Sequence, residues 1–365
     1  MEMKAYAFIG LTGQEIERFE IPWTKEAPEK EAVCIKSPLM EDARIKYLKE
    51  TRGTAAGDVT EVAVEDGLLK VTIVPMTTRV PFTLEVGEEV FEKEQFTVST
   101  RTMDDKFARV EEGEVLYRLY SPKANGPRPL ILFLHGGGNG GTKEGRDNQK
   151  HIAADYGVVN FAEKYPDMYV MAPQCVERKL VLTPGSLNRS FADADANNVP
   201  GYGWCREYLA QVIDIIRRMI AEGKVDEKRV YVTGLSMGGA GTLRAMSVGA
   251  DLFAACVAVC PTMSPETFTI LKSIRRPIWV TSAYIDHTLY RHKYLVDGVM
   301  ALRDSGNNNA HLTLFSPEDL QKYDIAVAPD IPYPRLFGEN HASWVPTYHN
   351  EYGVMSWLFN QTKDN

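Results

Sequence analysis

Apolar and polar positions alternate along most of the first hundred residues. The stretch VTEVAVEDGLLKVTIVP predicts two strands joined at Asp66-Gly67, a dipeptide typical of tight hairpins. KAYAFIGL, VPFTLEV and QFTVST predict three more strands, whereas helical periodicity is limited to the short charged piece MEDARIKYLKE. Several short strands separated by turn residues favour an antiparallel, immunoglobulin-like sandwich. We therefore expect a small all-β domain over residues 1–98.

A different pattern occupies residues 99–365. Continuous apolar runs predict strands at PLILFL, MYVMAP, RVYVTG, FAACVAVCP, RPIWVTSA and HLTLF. Between and after them, REYLAQVIDIIRRMIAEG, GGAGTLRAMSV and EYGVMSWLFNQ predict helices. Apolar strands separated by helices are typical of a mostly parallel sheet covered on both faces. We expect an α/β domain whose chemistry lies at the carboxyl ends of its strands.

Composition and charge narrow the possible partners. The chain is 44% hydrophobic and 25% charged, which is ordinary for a globular protein, and its formal net charge is −8. An acidic chain without a basic run argues against a nucleic-acid partner, and no apolar stretch is long enough to span a bilayer. The N-terminal MEMKAYAFIGL is a poor secretory signal, so we expect a cytoplasmic protein, or a secreted one if a native leader precedes this sequence.

Five cysteines are too few, and an odd number, for a disulfide framework. Cys256 and Cys260 lie in the apolar run FAACVAVC and are expected to be buried thiols. The sequence leaves open whether Cys175 and Cys205 meet.

Ser236 is the candidate nucleophile. It lies at the centre of Gly234-Leu235-Ser236-Met237-Gly238, a G-x-S-x-G sequence between a predicted strand and a predicted helix. Such a sharp turn lifts the serine hydroxyl above the sheet, and the glycines let strand and helix approach closely. The alternative is a tight turn in which these small residues only pack.

The loop His135-Gly136-Gly137-Gly138 after PLILFL is a candidate oxyanion hole. We expect one N–H donor from Gly136 or Gly137 and the other from Met237 at the start of the helix. His135 itself is interpreted as a structural hydrogen-bonding residue at the strand end. A phosphate-binding loop is the alternative, but the sequence lacks the lysine or the glycine spacing that such loops need.

The general base and the acid must follow Ser236 in the order acid, then histidine. His341, in the polar loop FGENHASWVP, is the predicted base and His349 the runner-up. Asp286, directly after RPIWVTSA, is the predicted acid, with Glu318 and Asp319 as alternatives.

Two further features complete the candidate chemistry. Trp344, three residues past His341, is a candidate substrate-binding residue, with simple packing as the alternative. Asp193, Asp195 and Asn197 resemble the start of a calcium loop, but the required glycine and the final glutamate are missing, so we expect no metal site there.

Together, LFLHGGGNGGT, MAPQC, VYVTGLSMGGAGT and HASW resemble α/β-hydrolase esterases of the feruloyl-esterase and polyhydroxybutyrate-depolymerase-like branch. The resemblance covers about residues 100–365, and some members of that branch carry an N-terminal immunoglobulin-like domain. It implies Ser236 as nucleophile, Asp286 as acid, His341 as base, and oxyanion donors at Met237 and Gly136 or Gly137. The sequence departs from the branch around the acid, where TSAYIDH replaces a compact H-G-x-x-D.

The sequence thus predicts a serine carboxylesterase that needs no cofactor and acts on a small-molecule ester. The same residues would serve a serine peptidase or amidase, and a catalytically silent binding module on a hydrolase fold is the alternative outside the enzymes. We expect neither nucleic acid nor membrane as a partner. Self-association through the N-terminal domain is left open.

Overall fold

The computed structural model describes most of the chain in two compact units. The described residues are 2–10, 13–41, 45–46, 49–50, 53–77, 80–100, 106–137, 158–175, 203–261, 272, 274–286, 291–323 and 341–364. Asp193, Asp195 and Asn197, the calcium-loop-like residues, lie outside them. The first unit holds the described residues up to position 100 and the second those from position 106 onward.

In the described residues of the first unit, eight strands form two sheets. The strands are β1 (Lys4–Gly10), β2 (Gly13–Pro22), β3 (Val33–Lys36), β4 (Val59–Glu65), β5 (Leu68–Thr77), β6 (Thr83–Val86), β7 (Glu89–Glu92) and β8 (Thr97–Thr100). One sheet has the order β4-β5-β2-β1-β8 and the other the order β3-β6-β7. Apolar side chains from both sheets share one core, in which the rings of Phe19, Phe82 and Phe96 pack against one another.

The predicted hairpin at Asp66-Gly67 is confirmed. Asp66 has φ 54° and Gly67 φ 74°, the left-handed pair that a two-residue hairpin turn requires. The expectation of a wholly antiparallel sandwich is wrong for one pair, because β1 and β8 run parallel. A parallel pair needs a long crossover. Along the chain, β2 to β7 all lie between β1 and β8, so the local sequence pattern could not reveal that these two strands pair in parallel.

The second unit is built on an eight-stranded sheet within the described residues. Its strands are β9 (Ala108–Glu112), β10 (Val115–Tyr120), β11 (Arg128–Leu134), β12 (Tyr169–Pro173), β13 (Val225–Leu235), β14 (Ala255–Val259), β15 (Ile278–Ala283) and β16 (Ala310–Phe315). Their order is β16-β15-β14-β13-β11-β12-β10-β9. β11 to β16 run parallel, and the β9–β10 hairpin is antiparallel at one edge. This is the sheet of an α/β-hydrolase, as predicted.

Helices described between and after these strands cover the sheet. They are α1 (Val158–Lys164), α2 (Arg206–Ala221), α3 (Met237–Val248), α4 (Arg291–Asp304), α5 (Pro317–Gln321), α6 (Trp344–Tyr348) and α7 (Val354–Phe359). The apolar face of α2 is buried, and Gly223 beyond its end has φ 73°, as a helix stop requires. No helix within the described part of the chain is long and apolar enough to cross a membrane.

None of the five cysteines takes part in a disulfide. Cys175 and Cys205 therefore form no disulfide, although both belong to the core of the second unit. Cys256 and Cys260 are fully buried, as the apolar run around them predicts.

Candidate active site

Ser236 lies in the turn between β13 and α3. Its backbone has φ 56° and ψ −114°, a strained conformation that non-glycine residues rarely adopt. Two backbone hydrogen bonds stabilise this conformation, one from Ser236 N–H to Val259 O (2.9 Å) and one from Ala240 N–H to Ser236 O (3.1 Å). The turn therefore fixes the position of the serine at the end of the strand.

Gly234 and Gly238 explain the spacing of the motif. A Cβ on Gly238 would lie 1.9 Å from Leu134 O, and a Cβ on Gly234 would lie 2.5 Å from Gly238 O. No side chain fits at either position, because helix α3 packs directly against strands β13 and β11. The two glycines allow the close approach that makes the turn sharp.

His341 contacts both Ser236 and Asp286. The distance between Ser236 Oγ and His341 Nε2 is 2.8 Å, and that between His341 Nδ1 and Asp286 Oδ2 is 2.6 Å. Asp286 follows β15, and His341 immediately precedes α6 by way of a short turn. The structure thus brings together the three residues that the sequence predicted as nucleophile, base and acid.

A carboxylate at Asp286 accepts the proton on Nδ1, which leaves the Nε2 lone pair facing the Ser236 hydroxyl. Both side chains of the pair are almost fully buried, so little water competes for these hydrogen bonds. This arrangement can take a proton from a serine hydroxyl and stabilise the imidazolium that results.

The residues that the sequence offered as alternative base and acid have other partners. The Nδ1 of His349 donates to Val345 O (2.8 Å), at the end of α6. Asp319 accepts from Ser316 N–H at the start of α5 and from the Tyr352 hydroxyl. Glu318 belongs to the same short helix. None of these three residues takes part in the contacts that join Ser236, His341 and Asp286.

Gly136 and Gly137 lie beside the turn that holds Ser236. A Cβ on Gly136 would be 3.8 Å from Ser236 Cβ, and one on Gly137 would be 4.0 Å from Met237 Cβ. Met237 is the first residue of α3, whose first N–H groups lack partners within the helix. The three residues predicted as oxyanion donors are therefore neighbours, and their role stays a prediction.

His135 supports this loop rather than the proton transfer. Its Nδ1 donates to Gly136 O (2.8 Å), and its Nε2 accepts the N–H of Cys175 (3.2 Å). Burial lowers the pKa of His135 to about 4, so the ring is neutral near pH 7. In a trans peptide the N–H points opposite to the C=O. Because the Gly136 carbonyl points toward the His135 ring, the Gly137 N–H of the same peptide points away from that ring.

Trp204 is a supporting residue that the sequence did not reveal. Its Nε1 donates to His135 O (2.9 Å), and its ring leaves no room for a Cβ on Gly241 of α3. Arg244, also on α3, donates to Trp204 O (2.7 Å). Trp204 thus ties the loop of Gly136 to the helix of Ser236, across partners that lie far apart in the sequence.

A buried chain of hydroxyl groups holds the loop of His341. The Oγ1 atoms of Thr281 in β15 and Thr347 in α6 are hydrogen-bonded at 2.9 Å. Thr347 Oγ1 also donates to Ser343 O. The Ser343 N–H in turn donates to His341 O (2.8 Å). In the sequence, the only signal was the threonine that directly follows the apolar residues PIWV.

Trp344 meets the ring of His341 edge-on, with ring centroids 5.4 Å apart and an interplanar angle of 89°. The indole is buried, so it packs against the candidate base. Its substrate-binding role stays a prediction. Within the described ranges, no group of three or more His, Cys, Asp or Glu side chains is arranged to hold a metal ion.

Comparisons with known proteins agree with this architecture. Residues 202–312 match the model of the prolyl oligopeptidase family, a segment that contains Ser236 and Asp286 and ends before His341. No curated protein sequence shows a significant match to the chain.

Solved structures align with the chain to different extents. A thermostable esterase aligns at 22% identity over 99% of each chain, with a TM-score of 0.59. An acylaminoacyl peptidase, of which the chain spans about half the length, aligns at 13% identity over 85% of this chain and 50% of that one, with a TM-score of 0.43. A dienelactone hydrolase from Klebsiella pneumoniae aligns at 14% identity over 70% and 97% of the two chains, with a TM-score of 0.42.

Of these three, only the esterase exceeds a TM-score of 0.5, and its low identity establishes a shared fold rather than a shared substrate. The fold and the linked Ser236, His341 and Asp286 define a serine hydrolase of the α/β-hydrolase fold.

Proposed function

We propose that the chain is a serine carboxylesterase that works through Ser236, His341 and Asp286. The observation that carries the proposal is the continuous hydrogen-bonded path from Ser236 Oγ through the His341 ring to Asp286 Oδ2. The alignment with a thermostable esterase over 99% of each chain supports esters as the substrate class.

In the first half of the reaction, His341 Nε2 takes the proton of Ser236 as Oγ attacks the ester carbonyl. Asp286 stabilises the imidazolium that forms. The N–H groups of Met237 and of Gly137 or Gly136 receive the oxyanion. The intermediate collapses to an acyl-enzyme as His341 gives its proton to the departing alcohol.

In the second half, a water molecule enters where the alcohol left. His341 takes a proton from the water, which attacks the acyl carbonyl and releases the acid. Ser236 then recovers its proton from His341. Every proton transfer uses the same nitrogen, so one buried histidine serves both halves.

A serine peptidase is the second candidate, favoured by the match of residues 202–312 to the prolyl oligopeptidase family model. Cleaving an amide uses the same residues but requires protonation of a poorer leaving group. The described geometry of Ser236, His341 and Asp286 suits both reactions, so substrate measurements must separate them.

The test presents identical acyl groups, from acetyl to long chains, as p-nitrophenyl esters and as p-nitroanilides, together with short peptide anilides. We expect hydrolysis of esters by the native protein and loss of it in Ser236→Ala. Ser247→Ala is the matched control, because Ser247 lies near the end of α3, the helix that begins directly after Ser236, and donates to Arg244 O.

Faster turnover of the peptide anilides would move the assignment to a peptidase. A correctly folded protein that hydrolyses none of these substrates would contradict both enzyme assignments and favour a binding module.

A further inference from the structure

Two neighbouring hydroxyl groups at the end of α6 are bonded to two different strands of the sheet. Thr347 Oγ1 is hydrogen-bonded to Thr281 Oγ1 of β15 at 2.9 Å. The next residue, Tyr348, is hydrogen-bonded through its hydroxyl to Thr233 Oγ1 of β13 at 3.2 Å. All four residues are buried, with at most 2% of their surface exposed, so little water competes for these bonds.

These two strands lead to the nucleophile and to the acid. β13 contains Thr233 and ends directly before Ser236. β15 contains Thr281 and ends shortly before Asp286. His341 lies in the turn that leads into α6. The two hydroxyl bonds therefore join the helix next to the base to the strand of the nucleophile and to the strand of the acid.

Thr347 also connects this attachment to the backbone of His341. Its single hydroxyl proton is donated to Ser343 O (2.8 Å), so Thr281 is the donor in the bond to Thr347 Oγ1. The N–H of Ser343 donates to His341 O (2.8 Å). A continuous set of hydrogen bonds thus runs from β15 to the candidate base.

Tyr348 provides the second attachment. Thr233 donates its single hydroxyl proton to Val257 O (2.8 Å) in β14, so Tyr348 is the donor in the bond to Thr233 Oγ1. The Tyr348 ring packs against Phe133, with centroids 6.0 Å apart, in the strand β11 that leads to the loop of Gly136. Tyr348 therefore contacts the strand before the nucleophile and the strand before the candidate oxyanion donors.

Hydrogen-bonded oxygens lie closer together than apolar groups can. The Oγ1 atoms of Thr281 and Thr347 are 2.9 Å apart, whereas two carbon atoms pack at about 3.5–4.0 Å. Two valines at these positions would therefore hold α6 farther from β15 by roughly 1 Å. A misplacement of that size, even one caused far from the reacting atoms, can cost about 10²-fold in rate.

We propose that Thr347 and Tyr348 are positioning residues of the proposed reaction. By bonding α6 to β15 and β13, their hydroxyl groups set the 2.8 Å distance between His341 Nε2 and Ser236 Oγ. Their loss slows the chemical step and leaves the binding of substrate nearly unchanged. The kinetic part of this inference rests on the proposed function, whereas the reactivity of Ser236 toward a fluorophosphonate tests it without any ester.

The first test compares Thr347→Val with Thr347→Ser in the hydrolysis of one p-nitrophenyl ester. Valine keeps the shape of threonine and removes the hydroxyl, whereas serine keeps the hydroxyl. We expect Thr347→Val to lower kcat by about 10- to 100-fold and to change KM by less than about threefold. Thr347→Ser should keep most of the native kcat, and a serine variant as slow as the valine variant would overturn the proposal.

Thr313→Val is the matched control for Thr347→Val. Thr313 lies on β16, and its Oγ1 accepts the Nε1–H of Trp279 in β15 (3.0 Å). This bond joins two strands and does not involve α6. We expect a native kcat in Thr313→Val, and a kcat loss equal to that of Thr347→Val would count against a specific role of α6.

A double variant separates positioning from stability. Thr347→Val alone leaves the Thr281 hydroxyl buried without its partner, whereas Thr281→Val/Thr347→Val pairs two apolar groups and should melt at a higher temperature than the single variant. We expect its kcat to stay within about threefold of that of Thr347→Val, because the valines cannot approach as closely as the hydroxyl groups. Recovery of the native kcat together with stability would overturn the proposal. The double variant also serves as the test if Thr347→Val fails to fold.

Tyr348→Phe tests the second attachment by removing one hydroxyl. We expect kcat to fall by at least about tenfold with little change in KM. Tyr231→Phe is the matched control, because Tyr231 is a buried residue of β13 whose hydroxyl is bonded to Phe359 O (3.2 Å) and Gln361 O (2.9 Å) rather than to α6. It should lower the melting temperature and leave kcat unchanged. Equal kcat losses in the two variants would overturn the proposal, since destabilisation would then explain both.

The rate of fluorophosphonate labelling distinguishes failure of this inference from failure of the proposed function. Ester hydrolysis by the native protein with an unchanged kcat in Thr347→Val and Tyr348→Phe would keep the esterase and refute the positioning role. A native protein that is labelled at Ser236 but hydrolyses no ester would refute the esterase. Labelling at least about tenfold slower in the two variants would then still support the positioning role, and equal labelling rates would refute it.

Discussion

His341 Nδ1 lies 2.6 Å from Asp286 Oδ2, and only 4% of the histidine side chain and 1% of the aspartate side chain are exposed. A buried carboxylate is costly unless it is paired, and this one has the imidazole as its partner. The pairing selects the tautomer with its proton on Nδ1, which leaves Nε2 ready to accept the proton of Ser236.

Replacing either end of the proton-transfer pair should abolish turnover. We expect Ser236→Ala and His341→Ala each to lower kcat by about 10⁶, because neither residue can act without the other. The double variant should be no worse than either single variant, and steady-state kinetics on one ester substrate measures all three. Multiplicative losses in the double variant would show that the residues do not act as a unit.

Asp286→Asn should lower kcat by about 10⁴, because an amide can donate to Nδ1 and so favour the wrong histidine tautomer. Asp319→Asn is the control, since Asp319 caps α5 and accepts from Tyr352. We expect it to change kcat less than about tenfold. A loss below tenfold at Asp286 together with a large loss at Asp319 would reverse the assignment of the acid.

Gly238→Ala should destabilise the protein, because the added Cβ would lie 1.9 Å from the backbone oxygen of Leu134. We expect the free energy of unfolding to fall by at least about 3 kcal/mol, the upper end of ordinary overpacking. Gly249→Ala is the control at the end of the same helix, where the nearest atom, at 2.8 Å, is the flexible end of Ile213. Denaturant unfolding should show a clearly lower free energy of unfolding for Gly238→Ala than for Gly249→Ala. Equal free energies of unfolding would refute the tight packing described for the turn.

The buried His135 should make stability depend on pH. Its pKa falls from an ordinary 6.5 to about 4 in the folded protein because of burial. Between these values the unfolded chain binds the proton and the folded protein does not, so stability decreases as pH falls from about 6.5 to about 4. The contribution of His135 is about 3 kcal/mol over that window.

Unfolding free energies at several pH values for native protein and His135→Asn measure this contribution. The variant should be less stable at neutral pH, because it loses hydrogen bonds to Gly136 and Cys175. Its stability should nevertheless fall less steeply on acidification. Parallel pH profiles of the two proteins would contradict the assignment of a neutral, buried His135.

Local chemistry explains why much of the site could be predicted. The turn at Ser236 needs glycines at fixed positions, and the order of acid and histidine along the chain follows from the order of strands in the sheet. The hairpin at Asp66-Gly67 was predictable for the same reason, because two residues determine its backbone angles.

Contacts between distant segments could not be predicted in this way. The parallel pairing of β1 with β8 and the hydrogen bond from Trp204 to His135 join residues that no local pattern relates. Cys260 was correctly predicted as a buried thiol. Its approach to His341 depends on a backbone angle of 38° that an apolar run does not encode.

The most direct test of the account is to label the protein with a fluorophosphonate and to map the adduct by mass spectrometry. The account predicts one adduct per chain, on Ser236, formed rapidly in the native protein and almost absent in His341→Ala. An unlabelled, folded native protein, or an adduct on another residue, would contradict the assignment of Ser236 as a nucleophile activated by His341.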